Sequence, residues 1–361
     1  MSRTMLLGAL LASAGANGAA AEARLDEVLT HWRMCEPSGA VLLEPGNFGG
    51  PFLVANDEDN AIRAYAGDGD GPPLDLAGAD LDGFLGLDGK QADLEAATWL
   101  GDKVFWISSH GRNNEGERRK PRRQFFATSL KRSEIGPTLT PVGSSYTKLL
   151  DGLVALDEET LTDAIMPEVE EDARLAPEAN GLNVEGLAAG ADGTSLLIAL
   201  RNPVSGPGRR AVLVRLANPM PNVESGEPAE LDAPVSLDLG GRGVRSIEYV
   251  RSSGSYLIAA GPTGSEGAFD LYRWSGQAAD APEPVPGAER IIAELGEFRP
   301  EAMLVDDTGK HVRLLSDEGD RRVPAAAAAC DGSLDANGGC RCQDLRDSGL
   351  HSFRSAVLVL D

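Results

Sequence analysis

The sequence has no apolar run of about 18 residues and few basic side chains. Only 33 of its 361 residues are Lys or Arg, against 56 Asp or Glu, and the formal net charge is −23. A surface of this charge repels phosphate backbones, which excludes general nucleic-acid binding, and the lack of a long apolar run excludes a membrane span. Glycine and proline are plentiful instead, with 43 and 22 residues. Frequent turns between short apolar runs predict an all-β fold.

The N-terminal residues have the pattern of a secretory signal peptide. Arg3 precedes a short apolar run at residues 5–12, and Ala19, Ala20 and Ala21 fit the small-residue rule for cleavage. We therefore expect a signal peptide at residues 1–21 and a secreted or periplasmic protein. In such a compartment cysteines form disulfides, and the four here allow three pairings: Cys35, Cys330, Cys340 and Cys342. A metal site at the last three is the alternative, but C-x-C is a weak ligand spacing.

A repeated unit of short strands runs through the rest of the chain. Each unit opens with a glutamate before an apolar strand, and these are Glu36, Glu95, Glu185, Glu248 and Glu301. A turn and two further apolar strands follow each one, and the glutamates are 59, 90, 63 and 53 residues apart. Units of three to four antiparallel strands at this period are typical of β-propeller blades, which bury their faces against one another. The last unit shows three strands, and residues 29–34 at the N-terminus are expected to close the ring.

The long interval between the second and third glutamates contains an acidic insertion at residues 143–177. Its segment from Asp157 to Leu161 has the pattern of a helix start, and the remainder predicts a surface loop or lid. The insertion could instead hold a degenerate sixth blade, so five blades are visible and six remain possible. A second low-complexity stretch at residues 324–341 predicts an exposed loop in the last blade. The mature chain, residues 22–361, is thus expected to be one propeller domain.

Several strings resemble the bacterial domain of unknown function 3616, among them MCEPSGAV, SSHGRN, PEANGLNVEGLA, GGRGVRSIEY and FRPEAMLV. The resemblance extends from about Cys35 to the C-terminus. It implies an exported, propeller-like protein for which no reaction is settled. It also implies a more distant similarity to phytase-like propellers, which share the Glu-Gly opening of the inner strand. The resemblance therefore bears on fold and location and hardly on function.

The same resemblance bears on the disulfides. Cys35 in MCEPSGAV and Cys342 before Gln343 fall on the two cysteine positions of the family. A closed ring also makes the first and last blades neighbours, which allows the separation of roughly 4.4–6.8 Å between Cα atoms that a disulfide needs. We therefore expect Cys35–Cys342, with Cys330–Cys340 closing a local loop.

One mouth of the central channel is the expected site. The inner strands start at this face and the second strands return to it, so the five glutamates should lie there with Asp57 and Asp317. Carboxylates crowded in this way repel each other or bind a hard cation, so calcium or another divalent cation is the expected cofactor. In a structural alternative, each glutamate caps backbone amides or pairs with an arginine, and its repetition in every blade is typical of that role.

Other polar residues are expected around this mouth. The candidates for binding an anionic group are Arg112, Arg201, Asn202, Arg242, Arg245 and Arg299. His110 in SSHGRN is the candidate general base. Ser109 beside it is a poor partner, because adjacent residues of a strand point to opposite faces, and the sequence has no G-x-S-x-G elbow.

Two functions fit these features. The first is a cation-assisted hydrolase of phosphate or carboxylic esters, and the second is a non-catalytic propeller that binds a ligand or a protein. In both, a monomer would bind a small anionic molecule or a protein ligand at the channel mouth, without nucleic acid or membrane. Fold alone does not choose between them, because propellers serve both purposes.

Overall fold

The computed structural model describes residues 22–133, 136–156, 175–177 and 181–360. The expected signal peptide and residues 157–174 of the acidic insertion lie outside these ranges. Within them, no helix is long and apolar enough to cross a membrane.

Five antiparallel sheets form the blades, named here in chain order. Blade 1 contains β2 (Pro37–Leu42), β3 (Phe52–Asn56) and β4 (Ile62–Tyr65). Blade 2 contains β5 (Leu94–Leu100), β6 (Lys103–Ser108), β7 (Phe125–Ser133) and β8 (Gly136–Tyr146). Blade 3 contains β9 (Asn183–Ala189), β10 (Leu196–Asn202), β11 (Ala211–Leu216) and β12 (Val235–Leu237). Blade 4 contains β13 (Gly243–Val250), β14 (Ser255–Gly261), β15 (Asp270–Trp274) and β16 (Glu283–Pro284).

Blade 5 joins the two ends of the chain. It contains β17 (Arg299–Val305) and β18 (His311–Asp317), then β21 (Ser352–Val359), and its outermost strand is β1 (Arg24–Trp32) from the N-terminus. β1 pairs antiparallel with β21 from Arg24 opposite Val359 to Trp32 opposite Ser352. The prediction of a five-bladed propeller closed by the N-terminal strand is therefore confirmed.

The remaining elements lie between or outside the blades. Short helices cover Asp82–Leu85, Leu149–Val154, Pro219–Ser225 and Ala288–Glu294. Single 3-10 turns cover Lys120–Arg122, Ala327–Ala329, Cys342–Asp344 and Ser348–Leu350. β19 (Arg322–Pro324) and β20 (Gly339–Arg341) form a hairpin over the stretch expected as an exposed loop. Residues 143–146, the first of the expected insertion, form the end of β8.

The hydrophobic core lies between successive blades. Each inner strand packs against the inner strands of both neighbouring blades, which closes the ring β2, β5, β9, β13, β17 and back to β2. Between blades 2 and 3, for example, Phe105 and Ile107 share one buried cluster with Leu187 and Ile198. Each blade therefore buries its two faces on its neighbours.

Four inner strands carry a β-bulge near their start. The pairing skips one residue in each, and these are Glu95, Glu185, Arg245 and Glu301. A bulge leaves its extra residue out of the ladder and redirects its side chain. Blade 1 has its irregularity between Pro37 and Ala40, one residue after Glu36. The bulges thus bring charged side chains together at one end of the channel, called the upper mouth below.

Two disulfides are present, with the pairing expected above. Cys35 is bonded to Cys342, 307 residues away, and Cys330 to Cys340, 10 residues away. All four side chains are buried. The first bond ties the start of blade 1 to blade 5, beside the β1–β21 pair, whereas the second only closes the local hairpin.

Removing the long-range disulfide is expected to destabilise the protein more than removing the local one. In the chain-entropy model, closing a loop of this length is worth roughly 5–6 kcal/mol and closing the short loop roughly 3 kcal/mol. The double variant Cys35→Ser/Cys342→Ser should therefore melt well below Cys330→Ser/Cys340→Ser in differential scanning calorimetry. Equal melting temperatures for the two would contradict the role of the first bond as the ring's clasp.

Candidate functional site

The upper mouth contains a buried ionic network built from three bulge residues. The side chain of Arg245 is 4% exposed, and its Nε lies 3.0 Å from Oε2 of Glu185, while its Nη2 contacts Oε1 of Glu301. Glu185 also pairs with Arg201 at 3.1 Å and accepts a hydrogen bond of 2.8 Å from Asn183 Nδ2. Burial lowers the pKa of Arg245 to about 10, so it stays charged at neutral pH. Blades 3, 4 and 5 are thereby linked across the axis.

A second group of acids lies on the blade 1 side of the same mouth. Glu36, Asp57 and Glu58, named here the acidic cluster, offer carboxylate oxygens that all lie within 4.8 Å of one another. Oδ1 of Asp57 is buried and has no hydrogen-bond partner among the described residues. Gly319 lies so close that a Cβ there would overlap Oε1 of Glu36. The cluster is therefore a tight arrangement of oxygens in which one oxygen lacks a donor.

The electrostatics of this cluster are unfavourable when all its groups are ionised. Burial, and then the charges of Asp317 and Glu58, raise the pKa of Glu36 to about 9. Burial, and then the charge of Glu36, raise the pKa of Asp57 well above its usual range, and burial also raises the pKa of Asp317. These shifts favour the protonated acids, or a cation that takes the protons' place.

Glu95 and Asp93 connect the acidic cluster to the ionic network. Burial, and then the charge of Asp93, raise the pKa of Glu95, while Arg245 and Arg122 act in the opposite direction. Arg122 pairs with Asp93 at 3.1 Å. The upper mouth is thus one electrostatic unit, in which the arginines offset only part of the negative charge.

Two of the arginines expected to bind an anion at the mouth donate hydrogen bonds to nearby protein groups. Arg242 donates to the carbonyl of Ala268 at 3.0 Å and to the hydroxyl of Tyr272 at 3.1 Å, within blade 4. Arg112 donates to the carbonyl of Gly116 at 2.9 Å. These contacts hold neighbouring loop segments together.

Arg299 and Asn202 lie nearer the mouth. Arg299 is 38% exposed and pairs with Asp320 at 3.0 Å, and its charge acts on Asp317. Asn202 donates to the carbonyls of Pro177 and Thr263. Among the predicted anion-binding residues, Arg299 is thus the one with a substantially exposed guanidinium beside the acids.

His110 is buried within the protein, with 3% exposure. Its Nδ1 is 2.8 Å from the carbonyl of Ser108 and therefore carries the proton. Burial lowers its pKa to about 4, so the ring is neutral at physiological pH. Ser109 Oγ accepts from the amide of Gly111, and the described residues contain no hydrogen bond between this hydroxyl and the histidine ring.

Glu248 is the predicted glutamate that the structure separates from the others. Its strand begins at Gly243, five residues earlier, so the bulge position that is a glutamate in blades 2, 3 and 5 is Arg245 in blade 4. Glu248 lies three residues further along, about 10 Å down the strand. The expected ring of five glutamates is therefore corrected: Glu95, Glu185 and Glu301 share the bulge position, and Glu36 precedes its strand.

Three charged residues of the upper mouth are not predicted by the sequence patterns, and these are Glu58, Asp93 and Arg122. Glu58 directly follows Asp57, and Asp93 is two residues before Glu95. A search for acids flanking the predicted strand ends could have found both. Arg122 belongs to the basic stretch Arg118–Arg123, and nothing in the sequence shows which basic residue of this stretch reaches the mouth.

Comparison with known sequences agrees with the resemblance. The sequence model of the family described as Protein of unknown function (DUF3616) matches residues 148–312, which confirms the resemblance. No curated protein matches the sequence. A glutaminyl cyclase from Myxococcus xanthus is similar in structure with a TM-score of 0.43 and 10% identity, covering 94% of this chain and 97% of that one.

A calcium-binding protein, regucalcin, from Agrobacterium tumefaciens is similar with a TM-score of 0.32 and 12% identity, covering 90% of each chain. A protein of unknown function from Bacteroides thetaiotaomicron has a TM-score of 0.37 and 9% identity, covering 90% of this chain and 70% of that one. At these scores and identities the similarities say nothing about activity.

Raising the pH from 7 to 9 in the presence of a chelator is expected to destabilise the protein. The unfolded chain ionises Glu36 near its ordinary pKa of 4.5, whereas the folded chain holds the proton up to about 9. The unfolded state therefore binds fewer protons in this window, so the free energy of unfolding falls as the pH rises. His31 and His110, whose pKa values burial lowers to about 4, affect stability only at lower pH.

Urea unfolding at pH 7, 8 and 9 measures this slope. Glu36→Gln should flatten it, because one of the coupled acids no longer titrates. Asp75→Asn, at an exposed acid in the same blade region, should leave it unchanged. Identical slopes in all three proteins would show that Glu36 is already ionised at pH 7.

Truncating Arg245 is expected to be strongly destabilising. Arg245→Met leaves the carboxylates of Glu185 and Glu301 facing a buried space without their shared cation, a loss that typically costs about 3–5 kcal/mol. Adding Glu301→Gln should recover part of that loss in urea unfolding at pH 7. The matched control is Arg24→Met, which breaks an exposed pair with Asp26 and should cost no more than about 1 kcal/mol. An Arg245→Met variant as stable as this control would contradict the network's role.

Proposed function

We propose, for this five-bladed propeller with its DUF3616 match, that the acidic cluster binds a divalent cation and that the upper mouth hydrolyses phosphate or carboxylic esters. The observation that carries the proposal is the cluster itself: three carboxylates within 4.8 Å, one with a buried oxygen that lacks a donor among the described residues. The two disulfides add support for export, because such bonds persist in oxidising compartments.

The chemistry of the donors fits calcium best. Calcium takes six to eight oxygen ligands in flexible geometry, and carboxylates are its usual protein ligands. Glu36, Asp57 and Glu58 supply oxygens from two short segments, and Asp317 adds negative charge beside them. Three protein carboxylates leave coordination positions for water and for an oxygen of a ligand. The cation would also offset the repulsion that otherwise keeps Glu36 and Asp57 protonated.

A bound divalent cation would polarise an ester oxygen and lower the pKa of a bound water. The protein's own part is to hold the three carboxylates at the mouth and to present a positive group to the anionic end of the ligand. Arg299 has the exposure for that second role. Arg245 and Arg201 are committed to Glu185 and fix the floor of the mouth.

A non-catalytic, ligand-binding propeller is the second candidate, and one observation favours it. His110, the expected general base, is buried, and its ring has no contact with the acidic cluster among the described residues. Binding needs only the cation and the arginine, whereas hydrolysis also needs a group that moves a proton. The two candidates share the cation site and differ in what happens to the bound ligand.

Calcium titration followed by calorimetry tests the shared site. Binding to the folded state raises its stability by about 2.7 kcal/mol at a hundred times the dissociation constant. We expect chelator-treated protein to bind one calcium ion and to melt higher with it. Asp57→Asn should abolish both effects, and Asp75→Asn should preserve them. Unchanged melting and no heat of binding would overturn the cation site.

A substrate panel then separates the two candidates. Purified protein with and without calcium is incubated with p-nitrophenyl phosphate, bis-p-nitrophenyl phosphate and p-nitrophenyl acetate. Calcium-dependent release of p-nitrophenol that Asp57→Asn loses supports the hydrolase. Calcium binding without turnover of any ester supports the binding protein.

A further inference from the structure

The opposite end of the channel contains a cavity of about 390 Å³. All five inner strands contribute to its wall near their C-terminal ends, through residues such as Val41, Thr98, Ala189, Glu248 and Leu304. The wall combines apolar and polar groups. Blades 1 and 5 contribute apolar side chains, and the charged groups come from blade 4 and from the turn after the inner strand of blade 5. It is separate from the upper mouth, because the residues of the acidic cluster and the ionic network do not line it.

Glu248 is the carboxyl group within the strand wall of this cavity. Its side chain lines the cavity and is partly exposed, and among the described residues its carboxyl has no hydrogen bond or ion pair. Burial raises its pKa well above the usual range. A single acid that lines a cavity and lacks a partner is a group to which a ligand can supply the missing contact.

The charges around Glu248 select the sign of that ligand. The other charged residues of the wall are Arg251, Asp306 and Asp307, all in the turns after the inner strands. Asp306 is engaged by His311 and Thr308, while Arg251 is exposed at the rim. An anionic ligand would place its charge beside three carboxyl groups and gain one exposed arginine. A cation would form an ion pair with Glu248. It would be repelled only weakly by Arg251, because solvent screens the exposed guanidinium.

We propose that this Glu248 cavity binds a primary amine with an apolar chain, the ammonium group at Glu248 and the chain against Val41 and Leu304. A volume of about 390 Å³ is within the range of small-molecule sites. The ammonium pairs with the ionised form of Glu248, and any proton that the acid still holds passes to the buffer when the amine binds. This inference does not depend on the cation site of the upper mouth.

Calorimetric titration with hexylamine tests the proposal on the full-length protein. At pH 7.5 and 0.3 M NaCl, which suppresses attraction to the protein's net negative charge, we expect saturable binding of one hexylammonium ion. Titrations in phosphate and in Tris, which differ in buffer ionisation enthalpy, correct the measured heat for any proton exchanged with the buffer. Binding that does not saturate at one hexylammonium ion per protein would overturn the proposal.

Variants and neutral or anionic probes supply the controls. Glu248→Gln should weaken hexylamine binding at least tenfold, whereas Glu283→Gln, an exposed acid in the same blade, should leave it unchanged. Hexanol and hexanoate should bind at least tenfold more weakly than hexylamine. Equal binding to Glu248→Gln, preferential binding of hexanoate, or no binding of hexylamine would each overturn the proposal. The comparison with hexanol and hexanoate uses the wild-type protein and so stands even if the variant fails to fold.

Discussion

Each blade has two faces to bury, and only a closed ring gives every blade two neighbours. The inner strands meet in the order β2, β5, β9, β13 and β17, and then β2 again, so an unclosed ring would leave the facing sides of blades 1 and 5 in water. Two devices close it: β1 completes blade 5, and Cys35–Cys342 ties that blade to the start of blade 1. Glu36 directly follows Cys35. The same bond that secures the ring therefore also positions one acid of the upper mouth.

Closure has an electrostatic consequence. Five strand starts converge on the axis, and a bulge in four of them redirects a charged side chain there. Glutamate in every blade would create repulsion that no arrangement of the strands could relieve. Blade 4 carries Arg245 at its bulge, and the guanidinium reaches acids of the blades on either side. The network thus offsets the bulge-position charges of blades 3 to 5, whereas the acidic cluster, where the cation is proposed, lies on blade 1.

The ring of five blades could be predicted from the sequence. The position of each residue along its strand could not. Five units, closure by the N-terminal strand and the disulfide pairing followed from burial and chain order, which act on whole strands. Glu248 was aligned with the other glutamates because it precedes apolar residues, yet its strand begins at Gly243. A bulge adds one residue to a strand, and the apolar residues before and after it still look like an ordinary strand. The pattern of apolar and polar residues therefore does not reveal where the bulge lies. The burial of His110 was likewise not readable from its local sequence, because this segment packs on another blade: the amide of Val184 in blade 3 donates to the carbonyl of the adjacent Ser109.

The acids at the two ends of the channel differ in what shifts their pKa values. At the upper mouth, carboxylates perturb one another, and arginines from blades 2, 4 and 5 act on them. Glu248, about 10 Å away along the same strand, is shifted by burial alone, with no charged neighbour contributing. Arg245 is the member of the upper group that lies on β13, and it is paired with Glu185 and Glu301 and not with Glu248. A change of charge at one end is therefore felt weakly at the other, and one channel can hold two sites that bind and titrate independently.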